Sequence, residues 1–180
     1  MRLLFVHRNF PGQYRHLAAH FAGKHAHSVA AIRELHSSTS TEDETGAIRR
    51  MPYAMPKLPP APVHRYLRGR EIALLRAEQV RAVAATLKRE GFVPDIICAH
   101  TGWGEALLLK DVFPDSPLLG FCEFYFRTGT GIDFDPAFAP REIDAHRVRV
   151  KNEVILHTFD LCDWGVTLTE PASIHLQQNS

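Results

Sequence analysis

The stretch Asp95-Ile-Ile-Cys-Ala-His-Thr-Gly-Trp-Gly-Glu105 holds the side chains best suited to chemistry in this 180-residue chain. His100 closes an apolar run, and an imidazole at the end of a strand suits proton transfer or hydrogen bonding near neutral pH. Thr101, Trp103 and Glu105 follow it around Gly102 and Gly104, glycines that mark a tight turn. Two readings of Trp103 and Glu105 stand side by side: binding residues, or a packing side chain and an acid favoured by the dipole at a helix start. A second polar group follows the next apolar run, where Glu123, Tyr125 and Arg127 alternate with Phe124 and Phe126. A third is the turn Asn9-Phe-Pro-Gly-Gln13, whose Gly12 would let backbone N–H groups at a helix start approach a phosphate. Thr169, before Glu170 and Pro171, makes a fourth.

Absent motifs narrow the choice. The opening turn has one glycine where a nicotinamide dinucleotide fingerprint needs Gly-x-Gly-x-x-Gly, and there is neither a Walker-type phosphate loop nor a Gly-x-Ser-x-Gly elbow. His16 and His20 stand one helical turn apart, as a metal pair would, but opposite Tyr14, Leu17 and Phe21, so they belong to a solvated face. Cys98, Cys122 and Cys162 are odd in number and widely spaced, which argues against a disulfide framework and for reduced thiols in a cytoplasmic protein.

The elements that must position these residues alternate between strand and helix. Apolar runs at Arg2 to His7, Ser28 to Ile32, Ile96 to Ala99, Leu118 to Phe121 and Gly165 to Leu168 read as strands, with a short one at Ile48 to Tyr53. Tyr14, Leu17, Ala18 and Phe21 predict a helix after the first strand, and Ile72, Leu75, Val80, Val83 and Leu87 predict a long one over about 66 to 89. The spacing further predicts a helix opened by Glu105, Ala106 and Leu107 and another over about 141 to 161, with Ile143, Val150, Val154 and Leu161 turned inward. Residues 37 to 44 read as a polar loop, Pro52 to Pro62 as an extended connector, and 128 to 140, with Asp133 and Asp135, as a glycine- and phenylalanine-containing excursion. Such alternation predicts an α/β fold, a Rossmann-like parallel sheet with helices on both faces and a single domain over 1–180. In that fold Gly12, His100, Glu123 and Thr169 all fall at carboxyl ends of strands, the edge where ligands bind.

Composition agrees with one soluble domain. The chain is 45% hydrophobic with 21 basic and 20 acidic residues, net +1, so no overall field recruits nucleic acid or an anionic membrane. The apolar run at the amino terminus is too short for a signal peptide core, and none approaches the roughly 20 residues of a membrane span.

Several blocks resemble a known family. Leu3-Leu-Phe-Val-His-Arg-Asn-Phe-Pro-Gly-Gln13, Gly91-Phe-Val-Pro-Asp95, His100-Thr-Gly-Trp-Gly-Glu-Ala-Leu107, Lys110-Asp-Val-Phe-Pro-Asp115 and Glu123-Phe-Tyr125 are similar to the amino-terminal domain of bacterial glycosyltransferase family 4 enzymes. The resemblance implies the two-domain GT-B architecture, with this chain as the acceptor side and a carboxyl-terminal donor domain absent. It implies a retaining transfer from a nucleotide-sugar donor to a carbohydrate or lipid-linked acceptor, with no metal and no cofactor beyond that co-substrate, and allows peripheral membrane contact. Gly12 and Gln13 would then approach the donor phosphates. His100 would lie beside the transferred sugar as a positioning and electrostatic residue, with Glu123 as a second catalytic candidate. Phe10, Thr101, Gly102, Trp103, Gly104, Glu105, Tyr125 and Thr169 would line the cleft. The isolated chain is then expected to be inactive. A non-catalytic carbohydrate- or protein-binding domain with the same fold is the alternative.

Overall fold

The computed structural model describes residues 1–35, 47–57, 63–126 and 142–168, the last group from 146 onward with its side chains. The strands are β1 (Arg2–Val6), β2 (Ser28–Glu34), β3 (Ile48–Tyr53), β4 (Ile96–His100), β5 (Leu118–Cys122) and β6 (Trp164–Thr167). All neighbours are parallel and the order is β3-β2-β1-β4-β5-β6, so the chain starts near the middle and winds outward in both directions. This is the expected α/β, Rossmann-like parallel sheet. Pro52 lies in β3, an edge strand, where its missing N–H is tolerated.

The central strands are apolar on both faces because helices cover both. Leu4, Val6, Ala30, Ile32, Ile97, Ala99 and Leu118 pack under α2 (Arg68–Arg89) and α3 (Leu109–Val112). The alternating residues Leu3, Phe5, Val29, Ala31 and Cys98 pack with Phe10, Tyr14 and Ala18 beneath α1 (Arg15–Ala22). Each strand therefore sends successive side chains to opposite covered faces. The remaining helix, α4 (Glu142–Asp160), buries Asn152, Val154, Ile155 and Thr158. Among the described residues no helix is long and apolar enough to cross a membrane.

Three expectations need correction. The segment after β4 does not open a helix at Glu105: residues 101–108 are turns, with Leu107 N–H bonded to the Gly104 carbonyl and Leu109 N–H to that of Ala106, and regular helix begins at Leu109. Tyr14, just before α1, and Ala18 on it are buried, but Leu17 is 42% exposed, since the short helix presents a narrower stripe than its spacing suggested. The buried stripe of α2 runs through Ala73, Arg76, Ala77, Val80, Ala84 and Leu87, so a cation lies within it. Small alanines let the helix approach the sheet closely, and carboxylates from elsewhere in the chain receive the arginine. The polar loop 37 to 44, Pro59, Pro60 and Pro62 of the connector, Arg127, the excursion 128 to 140 and the start at Thr169 lie outside the described residues.

Candidate active site

Because β1 and β4 are adjacent with Val6 level with Ala99, the next residues, His7 and His100, lie side by side on the α1 face. Their rings stand 5.3 Å apart, nearly perpendicular, and both are buried. The Asn9 N–H donates to His7 Nδ1 at 3.0 Å, and the Gly102 N–H donates to His100 Nδ1 at 3.0 Å. In a neutral ring so engaged the proton resides on Nε2. That of His100 donates to Glu123 Oε2 at 3.1 Å, while Gln13 Nε2 donates to Glu123 Oε1 at 2.9 Å. The Gln13 side chain also stands beside His7, where it favours the protonated ring against the stronger effect of burial. A chain of contacts thus runs from His7 through Gln13 and Glu123 to His100, joining three turns at the carboxyl edge of the sheet.

Electrostatics keep both imidazoles neutral. Burial, and secondarily the neighbouring His100, push His7 down to about 4. Burial also lowers His100 below its ordinary value, against the opposing pull of Glu123. Two glycines make room for the rings. A Cβ at Gly12, where φ is +43°, would lie 2.5 Å from His7 Cε1, and one at Gly102 would lie 2.8 Å from His100 Cε1. Glu123, with 22% of its side chain exposed, and the exposed Gln13 are the members of the group that reach solvent. Trp103 stacks on His100 with centroids 6.0 Å apart and planes at 23°, yet keeps 40% of its surface exposed. Phe124 and Tyr125, which follow Glu123, are likewise exposed, at 61% and 42%.

The predicted site residues therefore divide. Gly12, Gln13, His100, Gly102, Trp103 and Glu123 come together at the edge, with Gly104 closing the turn and Tyr125 beyond Glu123. Phe10, Thr101 and Glu105 do not line it. Phe10 is buried with its ring 6.2 Å from that of Phe5. Thr101 is buried, and its hydroxyl donates to the Phe121 carbonyl at 3.2 Å, so it is spent on the junction between β4 and β5. Glu105 is fully buried on the opposite, α2 face, where Oε1 accepts a hydrogen bond from the Tyr53 hydroxyl at 3.1 Å. Burial pushes its carboxyl up to about 7, opposed by Arg76. Glu105 reaches that face because the turn after Gly104 folds back onto α2 in place of starting a helix. Thr169 lies outside the described residues.

His7 is the residue that sequence reasoning missed, because in the sequence it stands only as the end of an apolar strand. Its signal was positional, since a polar residue closing the strand beside β4 must abut His100. Arg8, Glu34, Tyr53 and Arg76, which gather behind Trp103, left no comparable local sign. Among the described residues, no group of three or more His, Cys, Asp or Glu side chains is placed to hold a metal ion.

Comparison with known proteins gives this edge a context. The model of the glycosyl transferase family 4 group matches residues 25–173, a span that holds Trp103, His100 and Glu123 and begins beyond the Gly12 turn. No curated protein matches the sequence. Among solved structures, UDP-GlcNAc 2-epimerase from Neisseria meningitidis bound to UDP-GlcNAc aligns with TM-score 0.54 and 13% identity, over 99% of this chain and 43% of that one. UGT2 of Phytolacca americana, complexed with UDP-2-fluoroglucose and pterostilbene, aligns with TM-score 0.55 and 14% identity, over 99% and 50%. A UDP-glucosyltransferase from Polygonum tinctorium capable of glucosylating indoxyl, in complex with 3,4-dichloroaniline, aligns with TM-score 0.54 and 11% identity, over 99% and 49%. At such identities the likeness concerns the fold, and the chain spans about half the length of these structures.

Proposed function

Since the chain belongs to the glycosyl transferase family 4 group, we propose that it forms the acceptor side of a retaining glycosyltransferase that moves a sugar from a nucleotide-sugar to a carbohydrate or lipid-linked acceptor. The observation that carries this reading is the bridged Glu123, a carboxylate at the edge held by two neutral donors, the buried His100 Nε2 and the exposed Gln13 Nε2. Held in this way, it can accept a hydrogen bond from an acceptor hydroxyl in one orientation, which positions the nucleophilic oxygen ahead of reaction. His100 acts through Glu123 and beneath Trp103, as a positioning and electrostatic residue. The exposed indole of Trp103 offers a flat apolar face to a sugar ring, and the exposed Phe124 and Tyr125 after Glu123 offer further apolar surface to an aglycone or lipid.

The Gly12 turn stands where backbone N–H groups could approach the donor phosphates, while most donor contacts belong to a second Rossmann-like domain closing over this edge. The co-substrate is a nucleotide-sugar and the reaction calls for no metal. Peripheral membrane contact would serve a lipid-linked acceptor. The fold by itself does not select transfer, because an epimerase shares it; membership of the family supports transfer over that alternative.

The test is turnover by the protein as encoded, measured as nucleoside diphosphate released from a panel of nucleotide-sugars with glycan and lipid-linked acceptors. Acceptor-dependent release, with the anomeric configuration kept in the product, is expected for one donor. Glycan binding without acceptor-dependent release for any donor would instead establish a binding domain on the same fold.

A further inference from the structure

On the α2 face, directly behind the candidate site, lies a buried cluster of charged and polar side chains that the proposed reaction does not use. Arg76, from the middle of α2, is 5% exposed; Glu34 at the end of β2 is 7%, Tyr53 at the end of β3 is 3% and Glu105 is 0%. Arg76 Nε and Nη2 donate to Glu34 Oε2 at 3.3 and 3.2 Å, and Arg76 Nε stands 3.7 Å from Glu105 Oε1. Arg8 Nε approaches Glu34 Oε2 from the other side at 2.9 Å. Glu105 Oε2 has no hydrogen-bond partner. Withdrawing this many charges from water is expensive, and well-packed apolar residues would serve stability as well or better.

What the cluster does have is a single structural output. Arg76 Nη1 donates to the backbone carbonyl of Trp103 at 2.9 Å, and the Arg8 guanidinium lies 5.8 Å from the Trp103 ring centroid. Arginine suits both ends of this arrangement, since its planar fork binds several acceptors at once and also packs on aromatic faces. One turn before Arg76 on the same helix, Ala73 presses on the neighbouring residue: a Cβ at Gly104 would lie 2.5 Å from the Ala73 carbonyl oxygen, and Gly104 has φ +97°. The backbone around Trp103 is therefore gripped from α2 at its own carbonyl and at the next residue.

We propose that Arg76 is a positioning residue for the candidate site: braced by Glu34 and Glu105, it fixes the Trp103 carbonyl and, with Arg8, holds the indole on His100 as a preset face for the substrate. The substrate half of this statement rests on the transferase reading; the geometric half does not. Each acid has its task, Glu34 orienting both guanidinium groups and the Glu105 carboxyl flanking the Arg76 Nε edge, so that the fork has one free direction, toward the turn.

The test is the order of the Trp103 side chain. In 15N-labelled chain the indole N–H signal of Trp103 is assigned by its loss in Trp103→Phe, and its order parameter is compared between wild type and Arg76→Met. An order parameter near the rigid value of about 0.85 should fall below about 0.6. If Arg76→Met yields too little folded chain, Arg76→Met/Glu105→Gln removes the carboxyl left without its cation while Glu34 keeps Arg8, and the same fall is expected. An indole as ordered as in wild type, in either variant, overturns the proposal even if melting temperature drops, since a purely structural role lowers stability without loosening Trp103. In the active protein, Arg76→Met should raise the acceptor KM at least tenfold with kcat within about threefold, as loss of a preset binding face predicts. A mobile indole with unchanged acceptor KM overturns the link to substrate. Absence of turnover with every nucleotide-sugar overturns the transferase reading and leaves the order-parameter result to decide the role of Arg76.

Discussion

Glu105 and His7 are buried on opposite faces of the sheet, and their effects on stability should oppose each other across one pH range. Burial holds the Glu105 carboxyl at about 7, against an ordinary value of 4.5. Between those values the folded chain keeps a proton that the unfolded chain has released, so stability falls as pH rises; the contribution is whole below about 4.5 and gone above about 7. The gap, 7 less 4.5, at about 1.36 kcal/mol per pH unit, comes to about 3 kcal/mol. His7 is held at about 4 against 6.5. There the unfolded chain binds the extra proton, so stability rises by about 3 kcal/mol between pH 4 and 6.5, and His100 adds in the same direction. The two contributions largely cancel in wild type, and single substitutions uncover them. Glu105→Gln keeps an oxygen for the Tyr53 hydroxyl, and His7→Asn keeps an acceptor for the Asn9 N–H. Urea unfolding followed by far-ultraviolet circular dichroism from pH 4.5 to 7.5 gives the difference curves. Wild type minus Glu105→Gln should fall by about 2–3 kcal/mol across the range, and wild type minus His7→Asn should rise by a similar amount. A flat Glu105 difference would refute the reasoning, because it would mean that attraction from Arg76, 3.7 Å away, outweighs burial and keeps the acid ionised throughout.

Three further outcomes follow from the same geometry. Gly104→Ala should cost about 2–5 kcal/mol in urea unfolding, from a left-handed backbone and a 2.5 Å approach to the Ala73 carbonyl, whereas Gly69→Ala, open on all sides, should not destabilise. His100→Ala should lower stability by about 2–4 kcal/mol as well as any activity, because the ring is buried and satisfies both the Gly102 N–H and Glu123. Calorimetry of the 180-residue chain with nucleotide-sugars should find binding weaker than about 1 μM, since that affinity requires about 8 kcal/mol, more than the backbone N–H groups of a single turn at Gly12 would supply.

Local pattern was enough to read the scaffold. Ile96 to Ala99 is apolar and bounded by Pro94-Asp95 and by Gly102, so a buried strand with its polar residues at the carboxyl end follows from composition and punctuation alone. The same reasoning brought His100, Glu123 and Gly12 to one edge. It could not see which side chains would meet across long separations. Gln13 and Glu123 are 110 positions apart, and Arg76 and Glu34 are 42 apart, so nothing near either arginine or glutamine announces its partner. Arg76 also breaks the rule by which a helical stripe is read, that a buried face is apolar, because its charge is answered by the Glu34 carboxylate at the end of β2, with the Glu105 carboxyl beside it. Glu105 misled for a related reason: an acid after a glycine turn has the look of a helix start, and only the close seat of Gly104 on Ala73 reveals that the chain turns inward there.

Turnover of the Glu123→Gln protein bears most directly on the central claim, that this bridged carboxylate receives the acceptor. The substitution removes the charge and leaves His100 and Gln13 competing for one oxygen, at a half-open position where the cost to folding is small. Loss of one charge-assisted hydrogen bond of about 1.5–3 kcal/mol predicts a roughly tenfold to hundredfold fall in kcat/KM for the acceptor, with melting temperature within about 2 °C of wild type. Wild-type kcat/KM in Glu123→Gln would contradict the account, and the acceptor site would then have to be sought away from this edge.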